Sequence, residues 1–425
     1  MVKTIDGNEN YQCKVVKIKE YKKHPNADKL FIVTIDFNNV ITGIEPTIGQ
    51  LCVYFPVLSK INSEFLSSIN GFSDNELNSD KDIKGFFTSK CRVKPIKLRG
   101  LPSEGYLHPL EDVNNFLGSN LKEGDEFNSY NNIIFCDKYV IKSKESKSFT
   151  KTKSPKISRL IDGQFIFHND TSNLRKNIFN INPNDLIEIS YKKHGTSLVV
   201  GNILTKRKLS FLERIGKKLG LSIKESEYAV IYSSRRVVKN EEETKNTQGY
   251  YNTDIWGLAK DTLKDKIPKG YTLYCEILGF LPDGGDIQKG YDYGCCIGSF
   301  KVYVYKITNT NQDGFIINLT PLQISQFCDK YNLNYSDTLM YYGYAKDLFN
   351  IDTNLHWHEN FLRKLEEAYT EKNCYMCTKK VPEEGIVLVK ENLFNYEAYK
   401  LKSFKFLEYE EKELEAENIN LEDDN

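Results

Sequence analysis

No run of apolar residues in this chain is long enough to cross a membrane, and its first residues, Met1-Val-Lys-Thr-Ile-Asp, lack the hydrophobic core of a secretory leader. A soluble, cytoplasmic protein is expected. The chain also lacks net charge, since 58 Lys and Arg balance 58 Asp and Glu. That balance removes any whole-chain electrostatic argument for a nucleic-acid partner, so basic surface must be local. A disulfide framework is missing as well: the 10 cysteines are scattered through 425 residues, a pattern that indicates reduced thiols. This length leaves room for two or three domains.

What is present begins with Glu188-Ile-Ser-Tyr-Lys192-Lys-His-Gly195-Thr-Ser-Leu-Val-Val200, where a lysine ends one apolar strand and a glycine turn leads into the next. A lysine at such a tip can act as a nucleophile, with the glycine letting a phosphate approach the backbone. On this spacing alone a solvated lysine at a turn is the simpler reading. Further patterns follow in order. Val230-Ile-Tyr-Ser-Ser-Arg235-Arg236 is a strand ending in guanidinium groups, suited to phosphate, and Tyr271-Thr-Leu-Tyr-Cys-Glu276-Ile-Leu-Gly279 carries a carboxylate suited to ribose hydroxyls. Ile287-Gln-Lys-Gly-Tyr-Asp-Tyr-Gly294 precedes Phe300-Lys-Val-Tyr303-Val-Tyr305-Lys-Ile307, whose tyrosines at i and i+2 share a face able to stack a base. Pro382-Glu-Glu384-Gly385-Ile-Val-Leu-Val-Lys390 heads a strand with a carboxylate, and Ala398-Tyr-Lys400-Leu-Lys402-Ser-Phe puts two lysines on one strand face, an arrangement suited to a triphosphate.

Together these motifs resemble the covalent nucleotidyltransferase superfamily, and within it the ATP-dependent RNA ligases. Lys-x-His-Gly-Thr matches the bacteriophage-type RNA ligase 2 family, whereas DNA ligases and capping enzymes usually carry Asp-Gly. The Gln-Lys and Asp-Tyr-Gly run, and Lys400-Leu-Lys402 followed by Ser-x-Phe, match that family too. The resemblance covers about residues 159 to 406. It implies that Lys192 becomes adenylated, with His194, Gly195 and Thr196 completing the nucleophile turn. Arg235 falls on the family's essential arginine, with Arg236 an adjacent extra. Glu276 matches the ribose-binding carboxylate, Tyr305 the aromatic that stacks on adenine, Glu384 the glutamate of the fourth motif and a metal ligand, and Lys400 and Lys402 the phosphate-handling pair. Four positions depart from the family: Tyr191 replaces a glutamate, Cys275 a glycine, Ser197 an asparagine and Lys306 an aspartate. Strand alternation predicts that Lys306 points away from Tyr305.

The resemblance implies three transfers: Lys192 attacks the α-phosphate of ATP to form lysyl-AMP, AMP passes to an RNA 5′-phosphate, and a 3′-hydroxyl displaces AMP. Lys400, Lys402, Arg235 and Mg2+ or Mn2+ are expected to stabilise charge on non-bridging oxygens. A free lysine has a pKa of about 10.4, and Lys400, Lys402, bound metal and Lys193 are expected to lower that of Lys192.

The expected fold class is α+β, an N-terminal OB-like β-barrel over residues 1–140 followed by an α+β nucleotidyltransferase (ATP-grasp-like ligase) domain built on antiparallel sheets over 159–406. A basic flexible linker, 141–158, separates them, and 407–425 reads as an acidic tail, helical or frayed, without a large apolar face. Candidate strands before residue 140 are Tyr11–Ile18, Leu30–Ile35, Gln50–Val57 and Lys90–Leu98, bounded by turn residues as in a small closed barrel. His24-Pro-Asn-Ala-Asp-Lys-Leu30 resembles a run in OB-fold tRNA-binding modules. Arg92-Val-Lys-Pro-Ile-Lys-Leu-Arg-Gly100-Leu-Pro-Ser-Glu-Gly105 is similar to a basic hairpin of RNA ligases with an N-terminal OB domain, making Arg92, Lys94, Lys97 and Arg99 candidate nucleic-acid contacts. Gly163-Gln-Phe-Ile-Phe-His168-Asn-Asp170-Thr171 resembles the lead-in to the nucleophile strand of such ligases. Cys374-Tyr-Met-Cys377 and His356-Trp-His358 have a metal-like look, but one residue between histidines is too few for the usual zinc spacing.

The function expected from all this is sealing of 3′-hydroxyl and 5′-phosphate RNA ends with ATP and Mg2+ or Mn2+, in a nicked duplex or an RNA–DNA hybrid, by a monomer. A GTP-dependent capping-type guanylyltransferase and a non-catalytic RNA-binding protein are the alternatives.

Overall fold

The computed structural model describes residues 2–5, 8–140, 159–168, 170–235, 237–239, 253–335, 339–353 and 355–416. Arg236, the whole 141–158 linker and residues 417–425 lie outside the described residues. The described residues divide into two compact units, the first drawn from Met1–Lys142, Ser172–Ile178 and Leu407–Ala416, the second from Ser143–Thr171 and Phe179–Phe406.

In the first unit, three of the four expected strands form as Cys13–Lys17, Phe31–Ile35 and Leu51–Phe55. The fourth is a strand only over Ile96–Leu98, because Cys91 has a positive φ of 55° and Pro95 has no N–H to give to a ladder. Cys91 and Val93 are nevertheless buried in the core with Phe55, Phe65 and Phe127. Hydrogen bonding yields separate antiparallel sheets, one of four strands and two of three, with two short pairs, rather than one closed barrel. The chain leaves the sheets between Ile61 and Ile96 for a short helix, Ser63–Ser68, and irregular backbone. The basic stretch does form a hairpin, Ile96–Leu98 with Leu101–Ser103, turned by Arg99 (φ 48°) and Gly100 (φ 94°). Two positive φ values in a two-residue turn match the twist of paired strands. Residues of the tRNA-module-like run brace it, with His24 Nε2 3.1 Å from the Leu98 carbonyl and Asn26 Nδ2 donating to the Arg99 carbonyl at 3.1 Å.

The second unit is built on two antiparallel sheets. Its main strands are β1 (Leu186–Tyr191), β2 (Thr196–Lys206), β3 (Ser226–Ser233), β4 (Tyr271–Gly279), β5 (Phe300–Thr310), β6 (Leu339–Tyr344), β7 (Gly385–Lys390) and β8 (Glu397–Lys402). One sheet has neighbours in the order β6-β1-β7-β8; the other runs β3-β2-β4-β5. Helix α1 (Ile255–Leu263), capped by Asp254, and helix α2 (Pro321–Tyr331), opened by a Thr320–Gln323 capping box, supply apolar residues to the core on one face of the second sheet. Leu198, Val200, Leu273, Cys275, Ile277, Val302, Val304 and Ile307 point into that core. The opposite face carries Ser197, Tyr274, Glu276 and Tyr303.

Candidate active site

The glycine turn between the two apolar strands is a crossing between sheets. β1 pairs with β6 and β7, whereas β2 pairs with β3 and β4. Lys192 therefore stands where the chain passes from one sheet to the other, its N–H bonded to the Gly385 carbonyl at 2.9 Å. Gly195 is needed for packing against β4: a Cβ there would lie 2.3 Å from the Ile277 carbonyl oxygen and 2.9 Å from Glu276 Cγ. The turn is tied down by side chains from the Ile287–Gly294 run. Gln288 Nε2 donates to the Gly195 carbonyl at 2.8 Å, and the His194 N–H donates to the Tyr293 hydroxyl at 2.7 Å. These positioning roles escaped sequence reasoning, although the run itself was singled out.

The centre of the site is Glu384. Its side chain is fully buried and faces three cations or potential cations: Lys192 Nζ at 2.8 Å, Lys402 Nζ at 3.3 Å and His194 Nδ1 at 3.7 Å. Gly385 follows with a φ of 137°, where a Cβ would meet the Leu401 carbonyl oxygen at 2.0 Å, so only glycine lets β7 start there. Register then puts Lys402 opposite Gly385 and Lys400 opposite Val387, on the cleft face of β8. His194 is packed edge-on against Tyr291 and Phe406, each with ring centroids 5.0 Å away. A carboxylate at 2.8 Å favours the protonated amine. The immediate surroundings of Lys192 thus differ from the purely cationic ones expected from Lys400 and Lys402.

Burial pushes neighbouring Glu383 up to about 8. Arg235, just past the end of β3, is paired with Asp170, a residue of the His168–Thr171 lead-in. Thr196 is buried and in register with Ile277, and Ser197 lies opposite Glu276. Cys275 points into the helix-covered core, so its replacement of a glycine leaves the cleft face untouched. Tyr191 packs beside Tyr375, ring centroids 5.6 Å apart.

Tyr305 is the extra residue of a β-bulge: Tyr274 pairs with Lys306 and Cys275 with Val304. A bulge shifts the alternation by one residue. That is why Val302, Val304 and Ile307 all face the core, and why Lys306 does not point away from Tyr305 as alternation predicts. Both line one cavity of about 470 Å³, which includes space open to solvent, together with Glu188, Val389, Asn318 and Tyr396. Lys306 Nζ lies 3.8 Å from the Tyr396 ring centroid and 4.5 Å from that of Tyr274. Burial lowers its pKa to about 8 and lifts that of Glu188 to about 7. The Tyr305 hydroxyl is 2.6 Å from His168 Nδ1, and burial holds its pKa above the ordinary phenol value.

In the first unit the basic hairpin is already engaged. Arg92 pairs with Glu411 at 2.9 Å, Lys94 with Glu411 and Glu415, and Lys97 with Glu408 at 2.6 Å. All three glutamates lie on the helix Phe404–Glu415, read from the sequence as the start of an acidic tail; Phe404, Phe406 and Leu407 of that helix are buried. Arg99 lies in the hairpin turn. Of the metal-like spacing, His358 Nε2 is 3.0 Å from the Ile181 carbonyl, and no group of three or more His, Cys, Asp or Glu side chains gathers in a metal-holding arrangement among the described residues.

No family model and no curated protein sequence matches the chain. Solved structures do. An RNA ligase from Naegleria gruberi, in a lysine-to-alanine variant holding ATP and manganese, superposes with a TM-score of 0.58 at 16% identity, covering 95% of this chain and 98% of that one. An aspartate-to-alanine variant of the same ligase without ligand gives 0.59 at 14% identity, over 95% and 99%. A glutamate-to-alanine variant with ATP and manganese gives 0.59 at 15% identity, over 94% and 99%. The chain shares their mixed α+β fold along nearly its whole length.

Proposed function

We propose that this protein is an ATP-dependent RNA ligase that joins 3′-hydroxyl and 5′-phosphate ends through a lysyl-AMP intermediate. The observation that carries the reading is the convergence of Lys192, His194 and Lys402 on the buried carboxylate of Glu384, in a fold shared with an RNA ligase. A strongly held lysine at the crossing of two sheets is positioned as a nucleophile. Its ion pair with Glu384 supplies an acceptor for the proton that the amine must lose.

In the first step the Lys192 nitrogen attacks the α-phosphorus of ATP, the N–P bond forming as the bond to pyrophosphate breaks. A 5′-phosphate oxygen of the RNA then takes the adenylyl group, and Lys192 recovers its proton. The 3′-hydroxyl finally attacks that activated phosphate and AMP leaves. Lys400 and Lys402, on one strand face, and Arg235 offset charge on phosphate oxygens; Glu276 meets the ribose and Tyr305 stacks on adenine. Among the described residues no three His, Cys, Asp or Glu side chains gather to hold a metal, which fits an Mg2+ or Mn2+ ion carried largely by triphosphate oxygens beside Glu384 rather than a resident metal centre. When bound, that ion neutralises phosphate charge.

The RNA substrate in this reading is a nicked duplex or an RNA–DNA hybrid, sealed by a monomer in the cytoplasm. The first unit serves as an OB-like RNA-binding module through Arg92, Lys94, Lys97 and Arg99, and Arg236 is a further RNA contact of the second unit's sequence. RNA phosphates then compete with Glu408, Glu411 and Glu415 for the hairpin. The test is sealing of a 5′-phosphorylated nick in duplex RNA by the full chain with ATP and Mn2+. Sealing by wild type and none by Lys192→Ala is expected; sealing undiminished in Lys192→Ala would refute the assignment.

A further inference from the structure

Beside the nucleophile turn, residues 370–383 form a loop carrying the Cys374-Tyr-Met-Cys377 motif. The loop is closed on itself by the Cys374 N–H bond to the Val381 carbonyl at 2.8 Å. It is fastened to the site from two directions. The Thr378 N–H reaches both carboxylate oxygens of Asp292, at 3.0 and 3.2 Å, and the next residue, Tyr293, accepts the His194 N–H. Between the two cysteines, Tyr375 lies under the Lys193 ammonium at 4.8 Å and beside the Tyr191 ring. The loop thus touches the residue on each side of Lys192.

Cys374 is buried and Cys377 is partly exposed. The closed loop keeps the two cysteines neighbours, with two residues between them. The presence of Cys374 holds Cys377 below the usual thiol value, while Cys377 and burial together hold Cys374 far above it. This asymmetry, a partly exposed thiol with a depressed pKa next to a buried partner two residues removed, is what makes a C-x-x-C pair exchange-active.

We propose that Cys374 and Cys377 form a reversible dithiol–disulfide site, and that closing it slows adenylation of Lys192. The oxidant is a small-molecule disulfide of the glutathione class. The Cys377 thiolate attacks one of its sulfurs and releases one thiol, forming a mixed disulfide. Cys374 then loses its proton, attacks the Cys377 sulfur and releases the second thiol. Two protein thiols and one disulfide become one protein disulfide and two small thiols. Closure brings the sulfurs to about 2.05 Å. The ring that tightens contains Tyr375, so Lys193 and Tyr191 are displaced with it. The coupling half rests on the adenylyltransferase reading above; the disulfide half does not.

The experiment equilibrates the full chain in mixtures of oxidised and reduced glutathione. Intact mass and alkylation mapping follow the disulfide, and covalent label from α-labelled ATP is read on the same samples. A Cys374–Cys377 disulfide that forms and reverses, with a several-fold drop in label that Cys377→Ser abolishes, is expected. Both thiols staying open to alkylation across the range would overturn the site, and a disulfide that leaves label unchanged would overturn the coupling. A disulfide forming in protein that takes no label even when reduced would uphold the site and sink the adenylation reading with its coupling.

Discussion

Glu188 lies on the cleft face of β1, four residues before the nucleophile, with the Tyr335 hydroxyl donating to it at 3.3 Å. Burial lifts its pKa from 4.5 to about 7. The folded chain therefore holds a proton there that the unfolded chain has released between about pH 4.5 and 7. The neutral carboxyl's contribution is fully present below that window and is lost as pH rises through it, with a slope of at most about 1.4 kcal/mol per pH unit. Glu188→Gln should remove this component, seen as a flatter dependence of urea-unfolding free energy on pH across the window. Identical slopes in variant and wild type would refute the burial of a protonated carboxyl. Sequence showed Glu188 only as a polar position in an apolar strand. What makes it unusual, the residues that enclose it, comes from more than a hundred positions away, Tyr305, Lys306 and Tyr396 among them.

Among the elements, strand alternation was a sound guide for β8, where Lys400 and Lys402 share a face, and misled for β5. A bulge at Tyr305 leaves no mark in the sequence, because nothing in the residue order announces where two strands slip by one. The helix Phe404–Glu415 is a second case. Its glutamates read as part of an acidic tail, yet Glu411 and Arg92 form a pair with side chains only 9% and 4% exposed. Removing one partner from a buried pair leaves the other charge uncompensated and costs about 3–5 kcal/mol. Lys97, 48% exposed and paired with Glu408, should contribute no more than about 1 kcal/mol. Arg92→Ala should accordingly destabilise the full chain in urea far more than Lys97→Ala. Equal losses would contradict the distinction between a structural pair and a surface one.

For the whole molecule, the fold brings the motifs of Lys192, Glu384 and Lys402 together, each combining a charged side chain with the glycine or strand that aims it. The motif order also anticipated an α+β domain with antiparallel sheets. Closure of the first unit into a barrel was expected and is not seen, since strand spacing specifies how many strands form and not whether their edges meet. Nor was the ion pair at the centre: Lys192 and Glu384 are far apart in sequence, and only the pairing of β1 with β7 brings their backbones together. The central claim is that Lys192 takes the adenylyl group from ATP. It is tested most directly by incubating the full chain, stripped of bound nucleotide, with α-labelled ATP or GTP and Mn2+, and reading covalent label on a denaturing gel. Label from ATP alone, lost in Lys192→Ala, is predicted. Label from GTP would point to a capping-type enzyme, and absence of label from either nucleotide would contradict the account.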